Sequence, residues 1–192
     1  MRGDVASCVA EANGIDNLAD LTRMFLGKIE AIGFDQVAYV QAMRQFRRVP
    51  IETAWRLKRM KPEWNRLYDE RRYGDADPAI EAAMKIGAPF RLTDIVRRGN
   101  FSLRQQDFVG DMQAAGIDDF LVFPVSSRPG EFACFYFAAK TDAAPVWDEQ
   151  ISELESICLV YHARYASLVS APDDVSLSPR ETEVIELIAK GL

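Results

Sequence analysis

Residues 119–140 read DFLVFPVSSRPGEFACFYFAAK. Two runs of strand-forming residues, 119–127 and 131–140, flank Arg128-Pro129-Gly130, and a Pro-Gly step between such runs signals a tight turn. The pattern predicts an antiparallel hairpin. Both runs are so apolar that neither face is left for water, so other elements must cover the hairpin on both sides.

Working outward, the stretch from Trp147 to about Ser170 predicts one long helix. Its residues Ile151, Leu154, Cys158, Tyr161, Tyr165 and Leu168 are spaced 3, 4, 3, 4, 3, a coiled-coil-like seam. Ile157, Leu159 and Val160 lie off that seam. One face can therefore cover the sheet while the seam meets a second protomer; the alternative is a helix buried on both faces within one chain. Upstream of the hairpin, Ser102 with Gln105 has capping-box spacing and opens a helix ending at Gly116. Residues 88–100, punctuated by Pro89, Gly99 and Asn100, read as a loop. Asp77-Pro78 opens a helix ending at Gly87, and Pro62 opens one running to about Arg71. Residues 36–42 and 49–58 read as strands. Asp16 or Asn17 caps a helix carrying Leu18, Leu21, Phe25, Ile29 and Ile32, and Gly33 ends it. This order is not a strict βαβ alternation. It predicts an α+β domain, a largely antiparallel sheet with helices on both faces (an α-β-α sandwich).

The composition agrees with one sizeable core in a chain of 192 residues: 48% apolar, 27% charged. No apolar run is long enough to cross a bilayer, and the N-terminus lacks the apolar stretch of a secretory signal. The net charge of −6 gives no global attraction to nucleic acid or to an anionic membrane. Cys8, Cys134 and Cys158 are odd in number and show no CxxC spacing, which reads as a reducing, cytoplasmic compartment. A basic run, Arg44, Arg47, Arg48, Arg56, Lys58, Arg59 and Lys61, reads as a solvated strand face rather than a nucleic-acid patch.

No catalytic template is present: no GxGxxG, Walker loop, GxSxG or HExxH. The single histidine, His162, sits in an apolar helical pattern and reads as a packed side chain rather than a base. The chain is not expected to be an enzyme, and no cofactor is expected. A more informative constellation lies at 60–78. Trp64 and Tyr68 are i and i+4 on one helical face, and Asp77 starts the next helix. An indole N–H, a phenol O–H and a carboxylate in aromatic surroundings suit a small amphiphile. On spacing alone the plainer reading also stands: two core aromatics and a helix cap.

Pro62-Glu63-Trp64-Asn65-Arg66-Leu67-Tyr68 followed by Asp77-Pro78 resembles the ligand-binding domain of LuxR-type quorum-sensing regulators, one residue shorter between Pro and Trp. Ala115-Gly116-Ile117 and Pro124 fit a second family pattern. The closing stretch, Leu177-Ser178-Pro179-Arg180-Glu181-Thr182-Glu183-Val184 through Ala189-Lys190-Gly191-Leu192, resembles the first helix of that family's helix-turn-helix domain. The resemblance implies a ligand-binding domain over 1–170, a linker at 171–178 and the first helix of a truncated DNA-binding domain at 179–192. It implies a homodimer through the 147–170 helix, and contact with DNA only through a domain missing from this chain. Its implied ligand is an N-acyl-homoserine lactone. Trp64 would donate to the lactone carbonyl, Tyr68 to the acyl carbonyl, and Asp77 would accept the ligand's amide N–H. Three positions depart from the family. Leu92 replaces a usual tryptophan, Phe120 a glycine, and Tyr136 a small polar residue. These altered walls imply a narrowed pocket, and with it either an unusual ligand or a member that works without one, dimerising with a full-length regulator.

Overall fold

The structure, a computed structural model, describes residues 5–43, 52–99, 101–125, 131–139 and 144–169. In chain order its elements are α1 (Val5–Asn13), α2 (Leu18–Ile32), β1 (Val37–Met43), β2 (Glu52–Arg59), α3 (Pro62–Glu70), a 3-10 turn (Tyr73–Asp75), α4 (Pro78–Ile86), β3 (Phe90–Arg91), α5 (Leu92–Arg98), α6 (Leu103–Ala114), β4 (Asp119–Val125), β5 (Glu131–Ala139) and α7 (Ala144–Val169). Among the described residues the strands make one five-stranded antiparallel sheet in the order β2-β1-β5-β4-β3. The α+β sandwich expected from the sequence is the observed fold.

Strand alternation builds two cores from one sheet. Phe135 and Phe137 of β5 pack with Val37 and Tyr39 of β1 and Leu121 and Phe123 of β4 against α1, α2 and α7. Their sequence neighbours Cys134, Tyr136 and Ala138 pack with Ala38, Val40, Phe120 and Val122 against α3, α4, α5 and α6. This is why the strands read as continuous apolar runs: both faces are buried.

Local signals place the helices. Asn17 accepts the Asp20 amide at 2.9 Å, and Gly33 ends α2 in the left-handed region at φ 108. Ser102 and Gln105 close a capping box on α6. Gly116, at φ 72, turns the chain from α6 toward β4, and Lys61 donates to its carbonyl at 2.9 Å.

Three elements, β3, α5 and α1, are absent from the sequence reading. Residues 88–100 are not a loop throughout, since they contain β3 and α5. The signal is non-local: Asp119, at the start of β4, accepts the Thr93 amide at 3.0 Å and the Thr93 hydroxyl at 2.7 Å, and Leu92 is fully buried beside them. α1 carries Val5, Cys8, Val9 and Ala12 at helical spacing, but only Cys8 and Ala12 are buried.

The seam of α7 faces inward. Leu154, Cys158, Tyr161 and Tyr165 are buried, and Ile151 and Leu168 pack partly buried against the same core. The Tyr161 ring lies 4.4 Å from Phe25 of α2 and 5.8 Å from Phe135 of β5. The seam expected to meet a second protomer is therefore filled by this chain's own sheet and α2. Among the described side chains of α7, the exposed large hydrophobics are Leu159 and Val169. His162 is buried too, with Nδ1 2.7 Å from the Tyr39 hydroxyl.

The three cysteines are buried and free. Among the described residues no helix is long and apolar enough to cross a membrane. Of the basic run, Lys58 pairs with Asp69, Arg59 with Glu30, and Arg56 donates to Gln41. Arg44, Arg47 and Arg48, the Pro-Gly turn, the linker at 171–178 and the helix at 179–192 lie outside the described residues.

Candidate functional site

The site is assembled in the second core, between the centre of the sheet and helices α3, α4 and α6. Pro62 starts α3, and the i, i+4 spacing turns Trp64 and Tyr68 to its buried face. Asp77 caps α4 by accepting the Ala79 amide at 2.8 Å, which fixes its carboxylate at the junction of the 3-10 turn and α4. Strand register supplies Tyr136: it stands opposite Ala38 on one side and Val122 on the other, and the small Ala38 leaves room for its ring.

These elements converge on one carboxylate. Tyr68 donates to Asp77 Oδ2 at 3.0 Å, and Tyr136 donates to the same oxygen at 3.2 Å. Asp77 is 4% exposed. Burial pushes its carboxyl up to about 6, against the pull of the Ala79 amide, the two hydroxyls and the Ile80 amide, all of which favour the charged form. Burial, then the Asp77 charge, pushes Tyr68, Tyr136 and Cys134 well above their ordinary values, so their protons stay in place. The plain reading and the functional reading of Asp77 are thus one geometry: the helix cap is also the centre of a polar cluster.

Around it lies an aromatic box. Trp64 sits edge-on to Phe108 at 5.3 Å and to Tyr68 at 5.8 Å, and the Phe120 ring is edge-on to Tyr136 at 5.6 Å. Such pairs add about 0.5–1.5 kcal/mol each beyond the area they bury. Tyr73 stacks beside Trp64 and donates to Asp111 at 2.6 Å.

A pocket opens here, walled by Ala38, Lys58, Met60, Trp64, Tyr68, Asp77, Phe108, Phe120 and Tyr136. Its free interior is about 10 Å³, about enough for one water molecule. Phe120 and Tyr136, where the resemblance leads one to expect glycine and a small polar residue, occupy the space. Leu92 is buried in the same core but does not line the pocket. Lys58, read in the sequence only as part of a solvated basic run, lines it, as do Met60 and Phe108, to which the sequence assigned no role. They come from β2, the turn after it and α6, and no local spacing links them to Trp64. A larger hollow of about 430 Å³ lies between α1, α2 and α7, with Ser7, Lys28, Gln150, Glu153 and Ser156 among its lining residues.

The family model described as "Autoinducer binding domain" matches residues 17–168. No curated protein matches the chain in sequence. Among solved structures, the chain is similar to the N-acylhomoserine lactone-dependent LuxR-family transcription factor CepR2 of Burkholderia cenocepacia, at 15% identity and a TM-score of 0.63, covering 87% of this chain and 96% of that one. It is similar to Escherichia coli SdiA at 11% identity and a TM-score of 0.73, covering 98% of this chain and 78% of that one. It is also similar to SdiA in complex with octanoyl-rac-glycerol, at 12% identity and a TM-score of 0.65, covering 98% and 76%. At such identities the structures speak to the fold; the family model speaks to descent.

Proposed function

The chain belongs to the autoinducer-binding domain family of LuxR-type regulators, and from that premise we propose that it senses a small signal molecule, an N-acyl-homoserine lactone or a related amphiphile. In this reading it is a cytoplasmic homodimer that governs an attached DNA-binding domain, and it reads its ligand rather than turning it over. The observation that carries the proposal is the convergence of Trp64, Tyr68 and Asp77 on one buried aromatic pocket. Their donors and acceptor orient a polar head, and each buried CH₂ of a tail adds about 0.8 kcal/mol. With the α7 seam turned inward, the face of α7 left for a second protomer is the one where Leu159 is 48% exposed.

One observation favours a second reading, a ligand-independent member that works by pairing with another regulator: the pocket holds only about 10 Å³ of free space. A single experiment separates the two. The purified protein is taken to native mass spectrometry for a co-purified small molecule, then to thermal unfolding with a panel of lactones and other amphiphiles. A ligand at about 100 times its Kd adds about 2.7 kcal/mol, about 5–10 °C for a domain of this size. A protein that carries nothing and is stabilised by nothing in the panel is the ligand-independent one.

A further inference from the structure

The walls of the pocket are not equally fixed. Ala38, Phe120 and Tyr136 stand on β1, β4 and β5, each of which is paired with a strand on both sides. The opposite wall is α3 with the 3-10 turn, and it brings Trp64 and Tyr68 to the pocket. This wall rests on α6: Trp64, Tyr68 and Tyr73 all meet the Phe108 ring edge-on, at 5.3, 6.1 and 5.1 Å. The free interior is about 10 Å³, so a ligand with a hydrocarbon tail enters only if a wall yields. A central strand cannot shift without breaking its ladders. A helix held by a few side chains can.

Besides the bond from Tyr68 to Asp77, polar bonds hold this wall at three places. Before its start, Lys61 Nζ donates to the Ala115 carbonyl at 3.1 Å and to the Gly116 carbonyl at 2.9 Å. Midway, Lys58 donates to Asp69 at 2.8 Å and to the Asn65 carbonyl at 3.5 Å. At its end, Arg104 of α6 donates from one nitrogen to the Arg71 carbonyl at 3.1 Å and to the Arg72 carbonyl at 3.0 Å, and Tyr73 donates to Asp111. Arg72 is the one non-glycine residue with positive φ among the described residues, at φ 51 and ψ 46. A side chain is strained there, and such a conformation persists only where its surroundings enforce it. The Arg72 side chain is 80% exposed and pairs with Asp75 at 3.3 Å, within the wall itself, and the Asp75 amide donates to the Arg72 carbonyl at 3.2 Å. The hold from outside the wall is Arg104. The two carbonyls it grips flank the φ and ψ bonds of Arg72, so one guanidinium fixes both torsions.

We propose that α3 and the 3-10 turn are the moving wall of the pocket, and that Arg104 is the positioning residue that latches it shut by holding Arg72 in its left-handed conformation. This rests on the reading of the pocket as the signal site. Strain at Arg72 favours opening and Arg104 opposes it. The latch is exposed, so it exchanges its two carbonyls for water without any rearrangement of the core. Opening carries Trp64 and Tyr68 away from Phe120 and Tyr136 and makes room for a tail. The ligand therefore binds the unlatched form, and its affinity is reduced by the small fraction of protein that is unlatched.

The test reads the wall first without a ligand. Hydrogen exchange followed by mass spectrometry is run on the 192-residue protein and on Arg104→Met, Arg104→Lys and Arg72→Asn, with the global stability of each taken from urea unfolding. In Arg104→Met the amides of α3 should exchange about 10-fold faster while those of α7 keep their rate. Arg104→Lys keeps a donor of the kind that Lys61 uses at the other end, and should stay close to the wild type. Arg72→Asn places a residue that accepts the left-handed region, and should slow α3 exchange severalfold. The second arm is calorimetric titration with N-octanoyl-homoserine lactone. Arg104→Met should tighten binding by the same factor by which it speeds α3 exchange, and Arg72→Asn should weaken it by its own factor; loss of a merely structural contact would weaken binding in both. Exchange in α3 that is indifferent to Arg104 and Arg72, or that rises equally in α7, overturns the moving wall and leaves the signal reading standing. Faster α3 exchange with lactone binding weakened or unchanged overturns the latch. A wild type that binds no lactone counts against the signal reading, while exchange still decides the wall. Should Arg104→Met not fold, Arg72→Asn decides.

Discussion

Asp77→Asn tests the electrostatics of the site directly. The carboxyl is 4% exposed and is held at about 6, against an ordinary value of 3.8. A folded-state value above the unfolded one means that the folded protein binds the proton more tightly. Below about pH 4 the group is neutral in both states and contributes nothing. Between about pH 4 and 6 the unfolded chain ionises first, and stability falls as pH rises. Above about pH 6 the loss is complete, and a shift of about 2 units corresponds to about 3 kcal/mol. Asparagine retains an acceptor for the Ala79 amide and carries no charge to desolvate. The wild type minus Asp77→Asn difference in unfolding free energy should therefore drop by about 3 kcal/mol from pH 3 to pH 6.5, then stay nearly flat to pH 8. Urea unfolding at half-unit pH steps measures it, and taking the difference cancels groups common to both proteins, such as Asp119. A difference that is level across the whole range would mean that Asp77 ionises as if in water. The desolvated cluster argued here would then be wrong.

Two further perturbations probe the frame that holds the site. Leu154→Ala should cost about 2–5 kcal/mol in urea unfolding, because Leu154 is fully buried in the α1-α2-α7 core; unchanged stability with a changed sedimentation mass would put it at a subunit contact instead. Gly116→Ala should cost about 1–2 kcal/mol, since φ is +72 and the added Cβ would lie 2.9 Å from Lys61 Nζ; a neutral effect on melting temperature would show that the turn before β4 relaxes freely.

The sequence is legible where the deciding groups are neighbours along the chain. Asn17 and Gly33 bracket α2, Asp77 and Gly87 bracket α4, and Ser102 with Gln105 opens α6, each through hydrogen bonds that span only a few residues. It is illegible where the partner is distant. α5 depends on Asp119, which lies 26 residues from Thr93, so nothing around residues 88–100 reveals the helix. The apolar seam of α7 tells that a face is buried but not what buries it; Phe25 and Phe135 do. The site divides in the same way. Trp64, Tyr68 and Asp77 stand out by local spacing. Tyr136 reads as bulk in the sequence, and its hydroxyl reaches Asp77 only because β5 runs beside β1 and β4. Lys58 and Phe108 join the pocket through tertiary packing alone.

The two-faced sheet also restricts how this protein can drift. Along β5, residues committed to the pocket side and residues committed to the α7 side alternate singly: Cys134, Tyr136 and Ala138 one way, Phe135 and Phe137 the other. Inserting or deleting one residue in the middle of that strand would not merely thin one core. It would send the following phenylalanines into the polar cluster and Tyr136 among the hydrophobic rings, inverting both sides at once. The size of side chains can change there freely, whereas a change in count has to be absorbed by an irregularity such as the one opposite Tyr39 and Val40, where β2 carries one residue more. Variation in length otherwise collects where the chain leaves the sheet, so the strand interior works as a ruler against which the rest of the domain is free to be rewritten.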